Sequence, residues 1–302
     1  MKKTVRLLSI MAVIVAGCTT ACGQNAIKNT ADDSGKVKVM TSFYTMYDFA
    51  QKIGGEKVEI TNMVPSGTEP HDWEPSAIDI RNMEDADVFI YNGAGMEHWA
   101  EDILKSLDNS ELITVEASEG VELIREGKEN DPHVWLDPEN AKIEMEHIKD
   151  AFIEADKDNA EYYNKNYETY SRQLDGLNQE FEETLSQVTN KDIIVAHKAF
   201  GYLCKAYGLN QIAIEGLMPD SEPDPARMEE IIQLAKKKEI NTIFFEELVS
   251  PKVANTIAKE IGAKTEVLNP LEGLSEEQMD AGEDYFSVMR TNLKQIKKAL
   301  EN

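Results

Sequence analysis

Three of the five histidines in this 302-residue chain stand where a side chain can reach a ligand. His71 lies in Thr68-Glu69-Pro70-His71-Asp72-Trp73-Glu74-Pro75, a turn-rich stretch beyond an apolar run that ends at Val64. His133 lies in Asp131-Pro132-His133-Val134-Trp135-Leu136-Asp137-Pro138, ahead of a helix, and His197 directly follows Ile193-Ile194-Val195-Ala196. Neutral imidazole is a good ligand for zinc and its neighbours in the transition series. Zinc prefers four donors in a tetrahedron. A carboxylate from the second half is therefore expected as the fourth: Glu283, in Gly282-Glu283-Asp284-Tyr285, with Asp284 as its alternative. His71 and His133 would then face His197 and Glu283, two donors from each half. Spacing alone is equally compatible with three unrelated buried histidines. Asp137 and Glu246 are candidate acceptors for the second ring nitrogens. Trp73 and Trp135 flank two of the histidines, as shields or as ordinary core aromatics. His98 opens a helix, and His147 sits in the charged run Glu144-Met145-Glu146-His147-Ile148-Lys149, where solvation is expected.

Elements able to converge these residues are legible on either side of a long amphipathic segment. Strands are predicted over Val37–Ser42, Val58–Val64, Val88–Tyr91 and Leu112–Val115, with helices over Tyr44–Ile53 and Glu97–Leu107. In Asp156–Val188, Tyr163, Tyr167, Tyr170, Leu174, Leu177, Phe181 and Leu185 recur at steps of three and four. That spacing predicts one long helix, about 50 Å at 1.5 Å per residue. Strands then return at Ile193–Ala196, Gln211–Ile214, Thr242–Glu246 and Lys264–Leu268. Helices are predicted over Phe200–Tyr207, Pro225–Lys238, Pro251–Ile261 and Tyr285–Leu300. Alternating strands and helices imply parallel sheets. The expected fold is α/β: two similar lobes, each a parallel sheet flanked by helices, joined by one long rigid helix. In open α/β sheets ligands bind beyond the carboxyl ends of the strands, which is where the three histidines fall.

Lys2, Lys3 and Arg6 precede an apolar stretch from Leu7 to Ala16, too short to span a bilayer as a mature helix. Val15-Ala16-Gly17-Cys18 then reads as an export and acylation signal, with Cys18 as the lipidated residue and Cys22 a poorer fit. The expected divisions are a signal peptide 1–17, a lipid-anchored tether 18–35, an N-terminal lobe 36–155, a connecting helix 156–188 and a C-terminal lobe 189–302. Cys204, the one cysteine left, cannot form an internal disulfide and reads as a buried thiol. The net charge of −25 argues against nucleic acid, which needs clustered Lys and Arg, and suits a cationic ligand.

Four stretches in order resemble the zinc- and manganese-binding lipoproteins of bacterial ABC importers: Pro70–Ser76, Asp131–Pro138, Ala196–Tyr202 and Gly282–Tyr285. The resemblance runs from about Val37 to Leu300. It implies His71, His133 and His197 as ligands, with Glu283 less secure because the fourth ligand varies in that family. Three imidazoles and one carboxylate favour Zn2+; exchanging an imidazole for a carboxylate would favour Mn2+. The expected partners are a permease with its ATPase and, through the lipid anchor, the outer face of the cell membrane, with the protein acting as a monomer. Many zinc members carry a His-rich acidic loop between the first two ligands; the corresponding stretch here holds Glu119, Glu122, Glu126 and Glu129 but no His. A zinc hydrolase would also use three histidines, with water in the open position. No His-Glu-x-x-His or Gly-x-Ser-x-Gly motif accompanies them. A surface-adhesin role has no motif of its own.

Overall fold

A computed structural model describes residues 35–219 and 223–301. The signal peptide, Cys18 and Cys22 lie outside the described residues, as does all of the tether but Gly35. The first half runs β1 (Val37–Thr41), α1 (Tyr44–Gly54), β2 (Val58–Asn62), α2 (Ala77–Glu84), β3 (Val88–Tyr91), α3 (Ala100–Ser106) and β4 (Ile113–Glu116). A small hairpin, β5 (Arg125–Glu126) and β6 (Glu129–Asn130), leads through a short 3₁₀ turn to α4 (Pro138–Ala155) and then α5 (Ala160–Leu185). The second half runs β7 (Asp192–Val195), α6 (Gly201–Tyr207), β8 (Asn210–Ala213), α7 (Pro225–Lys237), β9 (Thr242–Phe245), α8 (Lys252–Ile261), β10 (Lys264–Val267), α9 (Glu276–Asp280) and α10 (Tyr285–Leu300).

Both large sheets are parallel and share one strand order. The first reads β2-β1-β3-β4 and the second β8-β7-β9-β10, so each reverses direction between its first and third strands. The central strands are continuous apolar runs, Val-Phe-Ile-Tyr in β3 and Thr-Ile-Phe-Phe in β9, because both faces are covered. Helix starts are marked by caps: Ser76 and Asp79 form a capping box on α2, Asp137 caps α4 ahead of Pro138, and Asp284 caps α10.

The long helix is shorter than its periodicity suggests. A 3₁₀ turn at Lys157–Asn159 separates α4 from α5, which spans 26 residues. Its first half packs on α1 and α4, where Asn166 Nδ2 donates to Ile53 O. Its second half meets α6 and α10, where Phe181 stacks on Tyr207 with ring centroids 4.9 Å apart and Glu180 accepts from Arg290. One rod thus braces both halves. The principal core also crosses between them, joining Phe43, Trp135 and Phe152 to Phe181, Phe200 and Tyr285. Among the described residues no helix is long and apolar enough to cross a membrane, and Cys204 is a buried free thiol.

Candidate metal centre

The turn after β2 carries His71, whose backbone N–H donates to Glu69 Oε1 at 3.0 Å. His133 enters on the segment after β6. Asp131 Oδ1 accepts both from its backbone N–H at 3.0 Å and from its Nδ1–H at 2.7 Å. An ionised carboxylate only accepts, so the Nδ1 proton is fixed there and Nε2 is the nitrogen that faces inward. Gly201 makes room for this carboxylate: a Cβ at that position would overlap Asp131 Oδ2. His197, two residues past β7, donates its Nε2–H to Leu217 O at 2.7 Å, which leaves Nδ1 facing the centre.

The three imidazoles form a near-equilateral triangle, with ring centroids 5.2, 5.2 and 4.8 Å apart. The fourth corner is Glu272, on the loop after β10. Its Oε1 lies 2.9 Å from His133 Nε2, 3.2 Å from His71 Nε2 and 3.8 Å from His197 Nδ1, and the two Nε2 atoms are 3.2 Å apart. Four donors at 2.0–2.1 Å around a tetrahedral zinc are separated by about 3.3 Å. The four separations above, 2.9–3.8 Å, bracket that edge length, and one donor atom from each of the four residues lies within 4.8 Å of the others. All four side chains are buried. His197 Nδ1 and Glu246 Oε1 approach to 3.1 Å as an ion-pair contact, and neither atom has a well-formed hydrogen bond. Imidazole nitrogens and a carboxylate gathered in a buried site, with polar atoms left short of hydrogen bonds, suit a cation.

The electrostatics agree. Burial opposes ionisation of Glu272, but the His71 and His197 rings and hydrogen bonds from His133 and His71 outweigh it and hold its carboxyl well below the usual range. Burial lowers the His71 pKa. It also works against His133, where hydrogen bonds to Asp131 and Glu272 win and raise it. His197 is buried too, but the charges of Glu246 and Glu272 push it up to about 10. Beside the Glu272 carboxylate, His133 and His197 are thus favoured in their charged forms and His71 in its neutral form. Two cavities flank it, one of about 490 Å³ bordered by His71, Lys128 and Met218, the other of about 250 Å³ bordered by Glu272, Tyr44 and Met279.

Glu283 and Asp284 do not join the three histidines. Glu283 is exposed, and its Oε2 accepts from Ser287 Oγ at 2.5 Å. Asp284 caps α10 and bridges Lys52 Nζ at 2.9 Å. The stretch Gly282–Tyr285 is a helix start. The carboxylate that does converge, Glu272, sits four residues after the predicted strand Lys264–Leu268, the same kind of position that singled out His197. Asp137 caps α4 and touches no histidine, its place being taken by Asp131. Glu246 does meet His197, through the nitrogen facing the centre. The Trp135 indole donates to Pro270 O at 2.7 Å beneath the site, and Trp73 packs edge-on against Trp99. His147 is half-buried and bonded to Ala117 O at 2.9 Å, not solvated, whereas His98 is exposed beside Glu74.

Residues 39–299 match the family described as zinc-uptake complex component A, periplasmic (ZnuA). The chain belongs to the ZnuA family. It is 42% identical to the high-affinity zinc uptake system protein ZnuA of Bacillus subtilis, over 95% of this chain and 96% of that protein. It is 38% identical to the zinc-binding lipoprotein AdcA of Streptococcus pneumoniae, over 100% of this chain but only 62% of AdcA, so it spans less than two thirds of that relative. Among solved structures, the Zn(II)-bound ZnuA-like domain of that AdcA superposes with a TM-score of 0.81 at 42% identity, covering 89% of this chain and 100% of the domain. The ZnuA-like architecture of two α/β lobes and a long connecting helix is thus the fold of this chain.

Proposed function

We propose that this ZnuA-family chain captures Zn2+ outside the cytoplasm and hands it to the permease of an ABC importer, with His71, His133, His197 and Glu272 as the four ligands. The observation that carries the reading is the buried set of three imidazoles and one carboxylate whose donor atoms all lie within 4.8 Å of one another. Nitrogen-rich donors of this kind favour zinc over manganese. Four protein ligands close the coordination sphere, which suits holding an ion; a hydrolytic zinc keeps one position open for water. Glu272 occupies the position a hydrolase would leave vacant, so capture is favoured over catalysis. All four donors come from one chain, which supports action as a monomer. The amino-terminal signal supports anchoring through Cys18, which would place the protein on the outer face of the membrane.

Binding exchanges protons for metal. The charges of Glu246 and Glu272 push the His197 pKa up to about 10, so zinc taking Nδ1 should displace a proton from this ring. Zinc affinity should therefore rise with pH between about 7 and 10 and fall on acidification. The test is titration of the metal-free protein with Zn2+ and Mn2+ against a chelating dye, with elemental analysis of the product. One equivalent of zinc, bound more tightly than manganese, is expected. His133→Ala should weaken zinc by at least about 100-fold, beyond the 10–100-fold typical of a residue that only orients a ligand. Wild-type affinity in that variant would refute the assignment.

A further inference from the structure

Glu272 follows a strand of the second half, yet the loop that carries it is fastened to the first. Thr45 Oγ1, buried on α1, donates to Leu271 O at 2.5 Å across 226 residues of sequence. The Trp135 indole donates to Pro270 O at 2.7 Å. Ser66 Oγ and Gly67 N–H both donate to Leu274 O, at 2.6 and 3.1 Å. From the other side, Asn292 of α10 donates its Nδ2 to Asn269 O at 2.7 Å and accepts from Asn269 N–H at 3.0 Å, while Leu271 N–H donates to Asn269 Oδ1 at 2.7 Å. Between these ties Leu271 adopts φ +63°, a region that a branched side chain rarely enters. Such a conformation persists only where its surroundings over-determine it. Here the flanking bonds do so, and the residue they turn inward is Glu272.

We propose that Thr45 is a positioning residue for the metal centre: its hydroxyl holds the Leu271 carbonyl, keeps the turn in its strained conformation and thereby aims Glu272 Oε1 at the three imidazoles. The proposal rests on the reading of Glu272 as a ligand. It means that three of the four donors, His71, His133 and Glu272, are fixed to one frame that includes α1, while His197 is held separately by Leu217. Release of zinc would then begin by parting His197 from the other three.

The test uses the whole mature chain, metal-free and reloaded with Zn2+ or Co2+. Thr45→Val removes the hydroxyl at nearly constant shape, and Thr45→Ser restores it. Thr45→Val should bind zinc roughly tenfold more weakly, at the lower end of what a residue orienting a ligand contributes. Its Co2+ absorption should lose intensity as the tetrahedral site loosens, and Thr45→Ser should recover both. A purely structural role would lower the unfolding temperature of the metal-free protein and leave the Co2+ spectrum unchanged, which would overturn the proposal. So would wild-type affinity in Thr45→Val. If Thr45→Val does not fold, Thr45→Ala carries the same readouts. Glu272→Gln separates the two levels: if it changes neither affinity nor spectrum, the ligand assignment itself fails; if it changes both while Thr45→Val changes neither, only the positioning role fails.

Discussion

Between β1 and β3 of the first sheet, the backbone N–H of Ser42 donates to Ile90 O at 3.0 Å; between β7 and β9 of the second, that of Ala196 donates to Phe244 O at 2.9 Å. These paired bonds put the two sheets in register. Phe43 then stands where His197 stands, and Asn92 where Glu246 stands. The same strand order offers the same crevice twice, but the two are filled with different chemistry. In the first, Phe43 packs on Trp135 with ring centroids 5.0 Å apart. The local carboxylate, Glu97, is occupied by donors: Ser42 Oγ at 2.6 Å and the backbone N–H groups of Asn92 and Gly93 at 2.9 and 3.0 Å. In the second, the ring is an imidazole and the carboxylate Glu246 keeps an oxygen without a partner. Topology provides the place twice; unsatisfied buried oxygens occur beside both crevices, at Asn92 and Glu144 in the first and at Glu246 in the second, but only the second brings an imidazole to a cluster of potential metal donors.

The most severe way to break the comparison is to copy one crevice into the other. His197→Phe puts at the second crevice the residue that the first already accommodates buried. The fold should survive and zinc affinity should fall at least about 100-fold, because a donor is gone and not merely misaligned. A dye-competition titration reads it, and retained affinity would mean that His197 is no more than the core ring its counterpart is.

A finer cut leaves the ring and alters its carboxylate. With Glu246→Gln one of the two charges that raise His197 is lost, Glu272 remaining, so its proton is held less tightly in the metal-free protein. Fewer protons should be released per zinc near pH 7, and the rise of affinity between pH 7 and 10 should flatten. Zinc titrations in two buffers of different ionisation enthalpy count those protons; an unchanged count would place the source of the His197 shift elsewhere.

The first crevice has its own cost. Beneath it Glu144 of α4 is fully buried, and neither of its oxygens has a hydrogen-bond partner. Burial, with the charge of Glu97 adding to it, drives its pKa well above the usual 4.5. The sign follows: above pH 4.5 the unfolded chain releases this proton while the folded chain keeps it, so the group lowers stability as pH rises. Glu144→Leu should stabilise the fold by about 1–3 kcal/mol, the penalty typical of an unpaired buried polar group. It should flatten the loss of stability with pH and leave zinc affinity unchanged. Thermal unfolding across pH 5–9 reads this, and a destabilised variant would show that Glu144 has a partner after all.

How much of this is legible in the residues divides along physical lines. Parallel strands buried on both faces are continuous apolar runs, so β3 is found to the residue and the other main strands to within two. The helices α2 and α9 and the β5–β6 hairpin carry few buried apolar residues and are missed, although Ser76 and Ser275 each open a capping box. The three histidines announce themselves through position and flanking residues. Glu272 does not, because its direction is set by a strained Leu271 and by a hydroxyl 226 residues away, and neither leaves a local mark. Applying the strand-end rule to β10 as strictly as to β7 would have pointed to it.

The smallest expected effect is the sharpest on this point. Glu283 lies outside both crevices, exposed at the head of α10 and bonded to Ser287. Glu283→Ala should leave zinc affinity within about twofold, since it removes only a surface hydrogen bond whose net contribution is about 1 kcal/mol or less. Asp284→Ala goes further in stability, losing an N-cap and the bridge to Lys52, at about 0.5–2 kcal/mol for the cap, and again spares the metal. Titrating both variants beside Glu272→Gln decides which carboxylate completes the site. A tenfold loss of zinc affinity in Glu283→Ala, with Glu272→Gln unaffected, would move the fourth corner from the strand end to the helix start and undo the parallel between the two sheets.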